Sequence, residues 1–178
     1  MLPEGVELAG GEIIPARACL WTTGFWASPL AAGAGLHVDS RGRIIVDQAL
    51  RSVSHDHVFA VGDSAAVRQP WGELHDTCQS GVPTAIHAAD SLARLLRGQQ
   101  PARFRFGYIH QPVSLGRKDA VIQFARPDDT PRRACLTGRA AARYKEIVSS
   151  SPPKVYRMSR RRTLPAVFLA PRGGRASK

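Results

Sequence analysis

One six-residue segment, Val58-Phe59-Ala60-Val61-Gly62-Asp63, constrains the fold more than any other part of the sequence. Its β-prone apolar residues predict a buried strand, and Gly62 predicts a turn at the end of that strand. Because Gly62 has no Cβ, a ligand can come close to the backbone there. Asp63, which accepts hydrogen bonds when ionised, suits a sugar or polyol hydroxyl. The structural alternative is a strand end capped by Asp63, with Ser64 as N-cap of a following helix.

The strongest helix signal lies between Pro83 and Arg97. Pro83 is predicted in the first turn, where its missing N–H costs little, and Gly98 is predicted to end the helix. The apolar residues that recur at helical spacing are Ile86, Ala89, Ala93 and Leu96. Amides at the N-terminus of this helix would face an electron-rich ligand group. An ordinary amphipathic helix packed on a sheet is the other interpretation, and both can hold together.

The remaining pattern predicts short elements. Strands are expected over residues 12–14, 17–21, 104–108, 113–115 and 120–124, a hairpin over 38–46, a turn over 127–131, and helices starting at Ser28-Pro29 and over 138–148. The first of these helices should end by Gly33 or Gly35. Residues 99–101 are expected to form a linker between two units.

Size and composition are those of a globular chain. Its 178 residues can form one domain or two small ones, and a hydrophobic fraction of 43% is enough for a core. No apolar run reaches the roughly 18 residues that a membrane-spanning helix requires. The start Met1-Leu2-Pro3-Glu4-Gly5 is no signal peptide, so a cytoplasmic location is expected.

The positive charge is concentrated at the end of the chain. Of the net charge of +11, eight positive charges and no acids lie in residues 152–178, which leaves +3 for residues 1–151. Arg160-Arg161-Arg162 stand just before an apolar stretch, so this tail could contact anionic lipid at the inner face of a membrane. A disordered basic tail is the main expectation, given four prolines and Gly173-Gly174, and lipid contact is the alternative. No nucleic-acid-binding motif occurs, so that class of partner is not expected.

The cysteines and histidines give no complete redox or metal motif. Cys19, Cys78 and Cys135 are odd in number and form no C-x-x-C pair, so no redox-active dithiol is predicted. Cys19 is expected to be inert core, and Cys78 lies where a helix N-terminus would favour a thiolate. His55 with His57, and His75 with Cys78, each lack a third ligand. We therefore predict no metal site.

Five segments, in order, resemble the pyridine-nucleotide:flavin oxidoreductases. They are ACLWTTGF at residues 18–25, GRIIVD with LRS at 42–52, VFAVGD at 58–63, CQSGVPTA at 78–85 and SLGRKDAVIQ at 114–123. The last is similar to a segment of type II NADH dehydrogenase-like proteins. The resemblance covers roughly residues 2–148.

The resemblance implies an α/β fold: the C-terminal part of an FAD-binding Rossmann-like domain (residues 1–100), a small α+β C-terminal domain (101–151) and the basic tail (152–178). It implies FAD as cofactor and NAD(P)H as substrate of the full-length family, with hydride passing to flavin and on to a quinone-like or other acceptor. Gly62 and Asp63 would lie at the ribityl chain, and Gln79, Ser80 and Gly81 at the flavin ring. Gly24, with Phe25, would line the cleft, and Arg117 with Lys118 either contacts the acceptor or forms a charged hairpin turn.

The Gly-rich units of this family do not occur in these residues. No G-x-G-x-x-G follows a strand, so neither the FAD pyrophosphate unit nor the NAD(P)H unit is present in the sequence. The chain therefore resembles a truncated oxidoreductase, and a missing N-terminal half or a homodimer is the expected partner. Two other functions stay open: a non-catalytic interaction or dimerisation module, and a hydrolase with Ser64 as nucleophile.

Overall fold

The computed structural model of the protein describes residues 5–20, 24, 26–151, 153 and 157. Its strands are β1 Gly5–Glu7, β2 Ile13–Pro15, β3 Ile44–Ile45, β4 Ala65–Ala66, β5 Arg68–Gln69, β6 Gly72–Glu73, β7 His110–Ser114, β8 Ala120–Ala125 and β9 Pro131–Thr137. Its helices are α1 Leu30–Gly33, α2 Cys78–Leu95 and α3 Gly138–Ser149, and a 3₁₀ turn spans Gly62–Ser64. The predicted tail, apart from residues 153 and 157, lies outside the described residues, as does Phe25.

The strands of the first hundred residues are short and form three separate pairs. β1 and β2 pair antiparallel, β3 and β4 pair parallel, and β5 and β6 pair antiparallel. The prediction of a strand over 17–21 is wrong for residues 17–20, and Cys19 is exposed rather than core. The buried strand predicted at 58–61 is also wrong, because this extended segment has a single bridge, Arg51 to Phe59, in place of a ladder. The hairpin over 38–46 is confirmed by the bridge between Val38 and Ile44.

The main hydrophobic core joins the early loops to residues 104–108. It contains Leu50, Ala60, Ala65, Val67, Leu74, Phe104, Phe106, Tyr108 and Ala125. Residues 104–108 do not form the strand predicted there. Their alternating aromatic rings are nevertheless buried, and the rings of Phe106 and Tyr108 meet edge to face with centroids 5.0 Å apart. These three aromatic residues therefore pack with the first hundred residues, while the division into domains at residue 100 stays a prediction.

Helix α2 is longer than predicted and buries a different face. It begins at Cys78, so Pro83 lies inside the helix rather than in its first turn. The buried residues are Ser80, Pro83, Thr84, Ala88 and Ser91. The expected apolar face is largely solvent-exposed, and Leu96 just beyond the helix is 89% exposed. Small polar residues line the buried face because they allow the helix to approach the backbone at Gly62.

An antiparallel sheet, β7-β8-β9, forms the C-terminal unit with α3. The predicted strands at 113–115 and 120–124 and the predicted helix at 138–148 are confirmed within one to three residues of their observed ends. Strand β9 was not predicted, because its sequence lacks alternating apolar residues and all but one of its side chains are exposed. A second core fills the space between sheet and helix, formed by Ala120, Ile122, Ala141 and Ala142 with Phe124, Leu136 and Tyr144 against it. No helix in the described part of the chain is long and apolar enough to cross a membrane.

Candidate functional site

The turn at Gly62–Ser64 places Asp63 at the protein surface. Val61 is extended, and Gly62 then takes φ +59°, a left-handed conformation that glycine adopts without strain. The hydroxyl of Ser64 closes the turn by donating to the carbonyl of Val61 at 2.9 Å. Strand β4 follows, so Ser64 does not cap a helix as predicted. Asp63 is exposed, and its carboxylate has no hydrogen-bond or ion-pair partner among the described residues.

Thr84 fixes this turn to helix α2. The backbone N–H of Gly62 donates to Thr84 Oγ1 at 3.0 Å, and that hydroxyl donates to the carbonyl of Gly81 at 2.7 Å. Thr84 is only 1% exposed, so both bonds are shielded from water. A Cβ on Gly81 would lie 3.7 Å from Gly62 Cα, which is ordinary contact. The turn and the helix therefore lie side by side at these two glycines and are joined by one buried hydroxyl.

The N-terminus of α2 has two backbone amides free to bind a ligand. Thr77 is the N-cap residue, and its carbonyl accepts from the amides of Ser80 and Gly81. The amides of Cys78 and Gln79 have no acceptor among the described residues. Thr77 Oγ1 is buried and has no hydrogen-bond partner in the part of the chain that the structure describes. The unpaired amides of Cys78 and Gln79 give the helix N-terminus a positive partial charge, which a carbonyl or an anion can neutralise.

The side chains of Gln79 and Ser80 are bonded within the protein. Gln79 Nε2 donates to the carbonyl of His110 at 2.9 Å, and its Oε1 accepts from the amide of Ile109 at 3.3 Å. Ser80 is buried, and its hydroxyl donates to the carbonyl of His75 at 2.6 Å. The predicted flavin-ring contact therefore rests on the backbone amides of Cys78 and Gln79, not on the side chains of Gln79 and Ser80, and it stays a prediction.

A buried arginine holds the loop that precedes α2. Arg43 is 2% exposed, and its guanidinium donates to Asp39 at 2.7 Å and to Glu73 at 2.8 Å, with Asp76 Oδ1 at 3.6 Å. Hydrogen bonds from Arg43 and Arg68 lower the pKa of Glu73. Burial alone would raise the pKa of Asp39, but the hydrogen bonds from Arg43 and Arg41 and the charge of Arg43 together outweigh burial and lower that pKa. This network ties the 38–46 hairpin to β6 and to the residue before the N-cap of α2.

Two residues near the C-terminal sheet also contact this loop: Tyr108, just before β7, and Asp129, in the β8–β9 turn. The backbone N–H of His75 donates to the hydroxyl of Tyr108 at 2.6 Å, and His75 Nε2 lies 3.0 Å from Asp129. Burial raises the pKa of Tyr108, so its hydroxyl keeps its proton at neutral pH. Together with the Gln79 bonds, these contacts position the start of α2 against β7 and the β8–β9 turn. Sequence reasoning missed both sets of contacts, since bonds such as Arg43 to Glu73 and His75 to Tyr108 join residues 30 or more positions apart.

Other predicted groups lie apart from this site. Gly24 has φ +58° and is exposed, but the residues on either side of it are outside the described residues, so its place in the cleft is untested. Ser64 has no histidine partner in the described part of the chain, and nothing there favours the hydrolase alternative. The described residues contain no group of three or more His, Cys, Asp or Glu side chains arranged to hold a metal.

Comparison with known proteins identifies the family. The model of the pyridine nucleotide-disulphide oxidoreductases matches residues 3–91, half of the chain, including the Gly62–Ser64 turn and most of α2. The chain belongs to this family. Its fold is accordingly of the α/β, Rossmann-like FAD-binding class, and the resemblance to type II NADH dehydrogenases is confirmed.

Individual relatives agree with that assignment. The chain is 30% identical over 125 residues to a probable NADH dehydrogenase of Dictyostelium discoideum, a match that covers 69% of this chain and 27% of that protein. It is 30% identical over 141 residues to the type II NADH:quinone oxidoreductase of Staphylococcus haemolyticus, covering 77% and 33%. The sulfide:quinone oxidoreductase of Aquifex aeolicus shares the fold, with a TM-score of 0.63, 21% identity and coverage of 83% and 37%. The chain thus spans about a third of the length of these relatives.

Proposed function

We propose that this chain supplies half of the flavin site of an FAD-dependent NAD(P)H oxidoreductase that delivers electrons to a quinone-like acceptor. One observation carries the proposal. In a chain of this family, Thr84 fixes the turn that carries the exposed Asp63 to α2, and the amides of Cys78 and Gln79 at the N-terminus of that helix have no acceptor among the described residues. The names of several relatives include NADH and a quinone, which supports the substrate class.

The residues present fit this cofactor. Asp63 would accept hydrogen bonds from hydroxyls of the ribityl chain, and the amides of Cys78 and Gln79 would donate to an electron-rich carbonyl of the ring. Gly62 and Gly81 have no side chains to obstruct the approach. FAD, when bound, supplies the chemistry of accepting hydride from NAD(P)H and passing electrons on. The helix terminus would stabilise negative charge beside it by about 0.3–1 kcal/mol.

The proposal requires units that these residues do not contain. Binding of the FAD pyrophosphate and of NAD(P)H in this family uses Gly-rich βαβ units, and no such motif occurs here. We propose that another segment or another chain provides them. A homodimer is the alternative partner; it would not supply these units but would cover the apolar faces that their loss exposes. We further propose that residues 152–178 contact the inner, cytoplasmic face of a membrane through their eight basic side chains.

Titration of the purified 178-residue chain with FAD tests the cofactor half of the proposal. Flavin fluorescence would be followed for the wild type, for Asp63→Asn and for Asp56→Asn, a matched exposed aspartate in the preceding loop. Hydrogen bonds to a charged group contribute about 1.5–3 kcal/mol, so Asp63→Asn should weaken binding by about 10- to 100-fold. Asp56→Asn should bind like the wild type. Absence of FAD binding by well-folded wild type would refute the proposal for this polypeptide and favour the interaction-module alternative.

A further inference from the structure

A second candidate site lies in the C-terminal unit, outside the residues that the family model matches. A cleft of about 410 Å³ separates the β7–β8 turn from one face of α3. Its lining residues, here called the basic cleft, are Arg117, Lys118, Arg139, Ala142, Arg143, Glu146 and Ile147. The helix contributes one continuous stripe, because Arg139, Arg143 and Ile147 are four residues apart and share a face. Cavities that hold small ligands have this order of volume.

The charge of the basic cleft is unbalanced. Four cationic side chains face one carboxylate, Glu146. Within the described residues, none of these four cations has an ion pair or a side-chain hydrogen bond. Four arginines of the first hundred residues, Arg41, Arg43, Arg51 and Arg68, by contrast pair with acids. The nearest acid in the turn, Asp119, is already engaged by the amide of Ala120 at 2.9 Å.

The positive charges of the basic cleft destabilise helix α3. Arg139 and Arg143 are like charges at i,i+4, a spacing that destabilises a helix. The first turn of α3 holds no acid, and a cation there opposes the helix dipole. An anion bound in the cleft would remove both costs.

The lining residues indicate which anion would fit. The planar fork of arginine matches two oxygens of a phosphate, and Lys118 adds a point charge. Ala142 and Ile147 add an apolar wall, and the volume exceeds what one small inorganic ion fills. We propose that the basic cleft binds phosphate groups of an organic or condensed phosphate, at a site separate from the flavin half-site. A free phosphorylated ligand and an anionic lipid headgroup share this chemistry.

Calorimetric titration of the full chain with sodium triphosphate tests the proposal. The double variant Arg139→Gln/Arg143→Gln removes two cleft cations, and Arg103→Gln/Arg105→Gln removes two exposed cations outside it, so both lower the net charge by the same amount. The cleft variant should bind about tenfold or more weakly, and the control should stay within about twofold of wild type. Equal weakening in both variants would show unspecific attraction, including that of residues 152–178, and would overturn the proposal.

Two further arms complete the design. Flotation with vesicles of phosphatidylglycerol in phosphatidylcholine, using the same variants, separates the ligand sources. Cleft-dependent flotation without triphosphate binding assigns a lipid phosphate, and the reverse assigns a soluble ligand. Failure of the wild type in both assays overturns the proposal. Asp63→Asn should leave triphosphate binding unchanged, so the result does not depend on the flavin site, and far-UV circular dichroism checks that each variant is folded.

Discussion

The hydroxyls of Thr84 and Ser91 both lie on the buried face of α2, but their removal should have opposite effects: loss of the first should lower the stability of the fold, and loss of the second should raise it. Thr84 and Ser91 are each 1% exposed and lie two turns apart in the same helix. Thr84 Oγ1 accepts from Gly62 and donates to Gly81, whereas Ser91 Oγ is buried and has no hydrogen-bond partner within the described residues. Thr84→Val keeps the side-chain shape and β-branching, so it removes the two hydrogen bonds and little else. Ser91→Ala removes a hydroxyl that makes no hydrogen bond.

The expected magnitudes follow from these contacts. Thr84→Val leaves the Gly62 amide without its acceptor, so it should lower the free energy of unfolding by about 1–3 kcal/mol. Removing the unpaired hydroxyl of Ser91 should gain about 1 kcal/mol, from relief of a buried polar group and the higher helix propensity of alanine.

Urea denaturation followed by far-UV circular dichroism measures both effects. With an m-value of about 2 kcal/mol/M, Thr84→Val should lower the midpoint by about 0.5–1.5 M, and Ser91→Ala should raise it by about 0.5 M. Thr84→Ser, which keeps the hydroxyl, serves as the control for the lost hydrogen bonds. An unchanged midpoint for Thr84→Val, or equal losses in both variants, would refute the claim that Thr84 locks the Asp63 turn to the helix.

Three other predictions concern the groups that position the start of α2. Arg43→Met should lower the free energy of unfolding by about 2–3 kcal/mol, which urea denaturation measures. Breaking a fully buried ion pair costs about 3–5 kcal/mol, and the loss here is smaller because the acidic partners of Arg43 are partly solvated. Because the pKa values of Asp39 and Glu73 are lowered on folding, their stabilisation should be full above the ordinary values of 3.8 and 4.5. It should then fall as the pH drops below these values, a change that thermal melts at several pH values would show. Gln79→Leu should cost about 1 kcal/mol and speed amide exchange at Ile109, since it removes their hydrogen bond.

Matched variants separate these effects from general damage. Arg51→Met removes an arginine whose ion pair is local and half-exposed, so it should cost less than about 1 kcal/mol. Gln99→Leu changes an exposed glutamine of the linker and should leave exchange at Ile109 unaltered. Arg43→Met lacks the cation that lowers the pKa values of both Asp39 and Glu73, so it should lose less stability in acid than the wild type. An equal loss in the variant and the wild type would contradict the prediction.

The sequence located the candidate site better than it located the strands around it. Gly62 and Asp63 were identified because a glycine and a carboxylate at the end of an apolar segment indicate a ligand-facing turn. The residue pattern predicts a helix from Pro83, but α2 begins five residues earlier, at Cys78. Proline is commonest in the first turn of a helix, whereas Pro83 lies inside this one. The buried face of α2 was missed because hydrophobic periodicity does not register Ser80, Thr84 and Ser91.

The polar contacts between residues far apart in the chain could not be predicted from the sequence. An arginine in a hairpin is expected to be exposed, and nothing near Arg43 in the sequence indicates that Glu73 and Asp76 will surround it. The same holds for the bond between Tyr108 and His75, which needs the core of residues 104–108 to be formed first. Strand β9 was missed because it lies at the sheet edge and shows no alternation.

Hydrogen exchange of the 178-residue chain with and without FAD tests the central claim most directly, because it reports on each backbone amide separately. The account predicts that FAD slows exchange at residues 62–64 and at the free amides of Cys78 and Gln79, and that Asp63→Asn removes this protection. Protection confined to residues 117–147, or none at all in a folded chain that binds FAD, would contradict the placement of the flavin half-site between the Gly62–Ser64 turn and the start of α2.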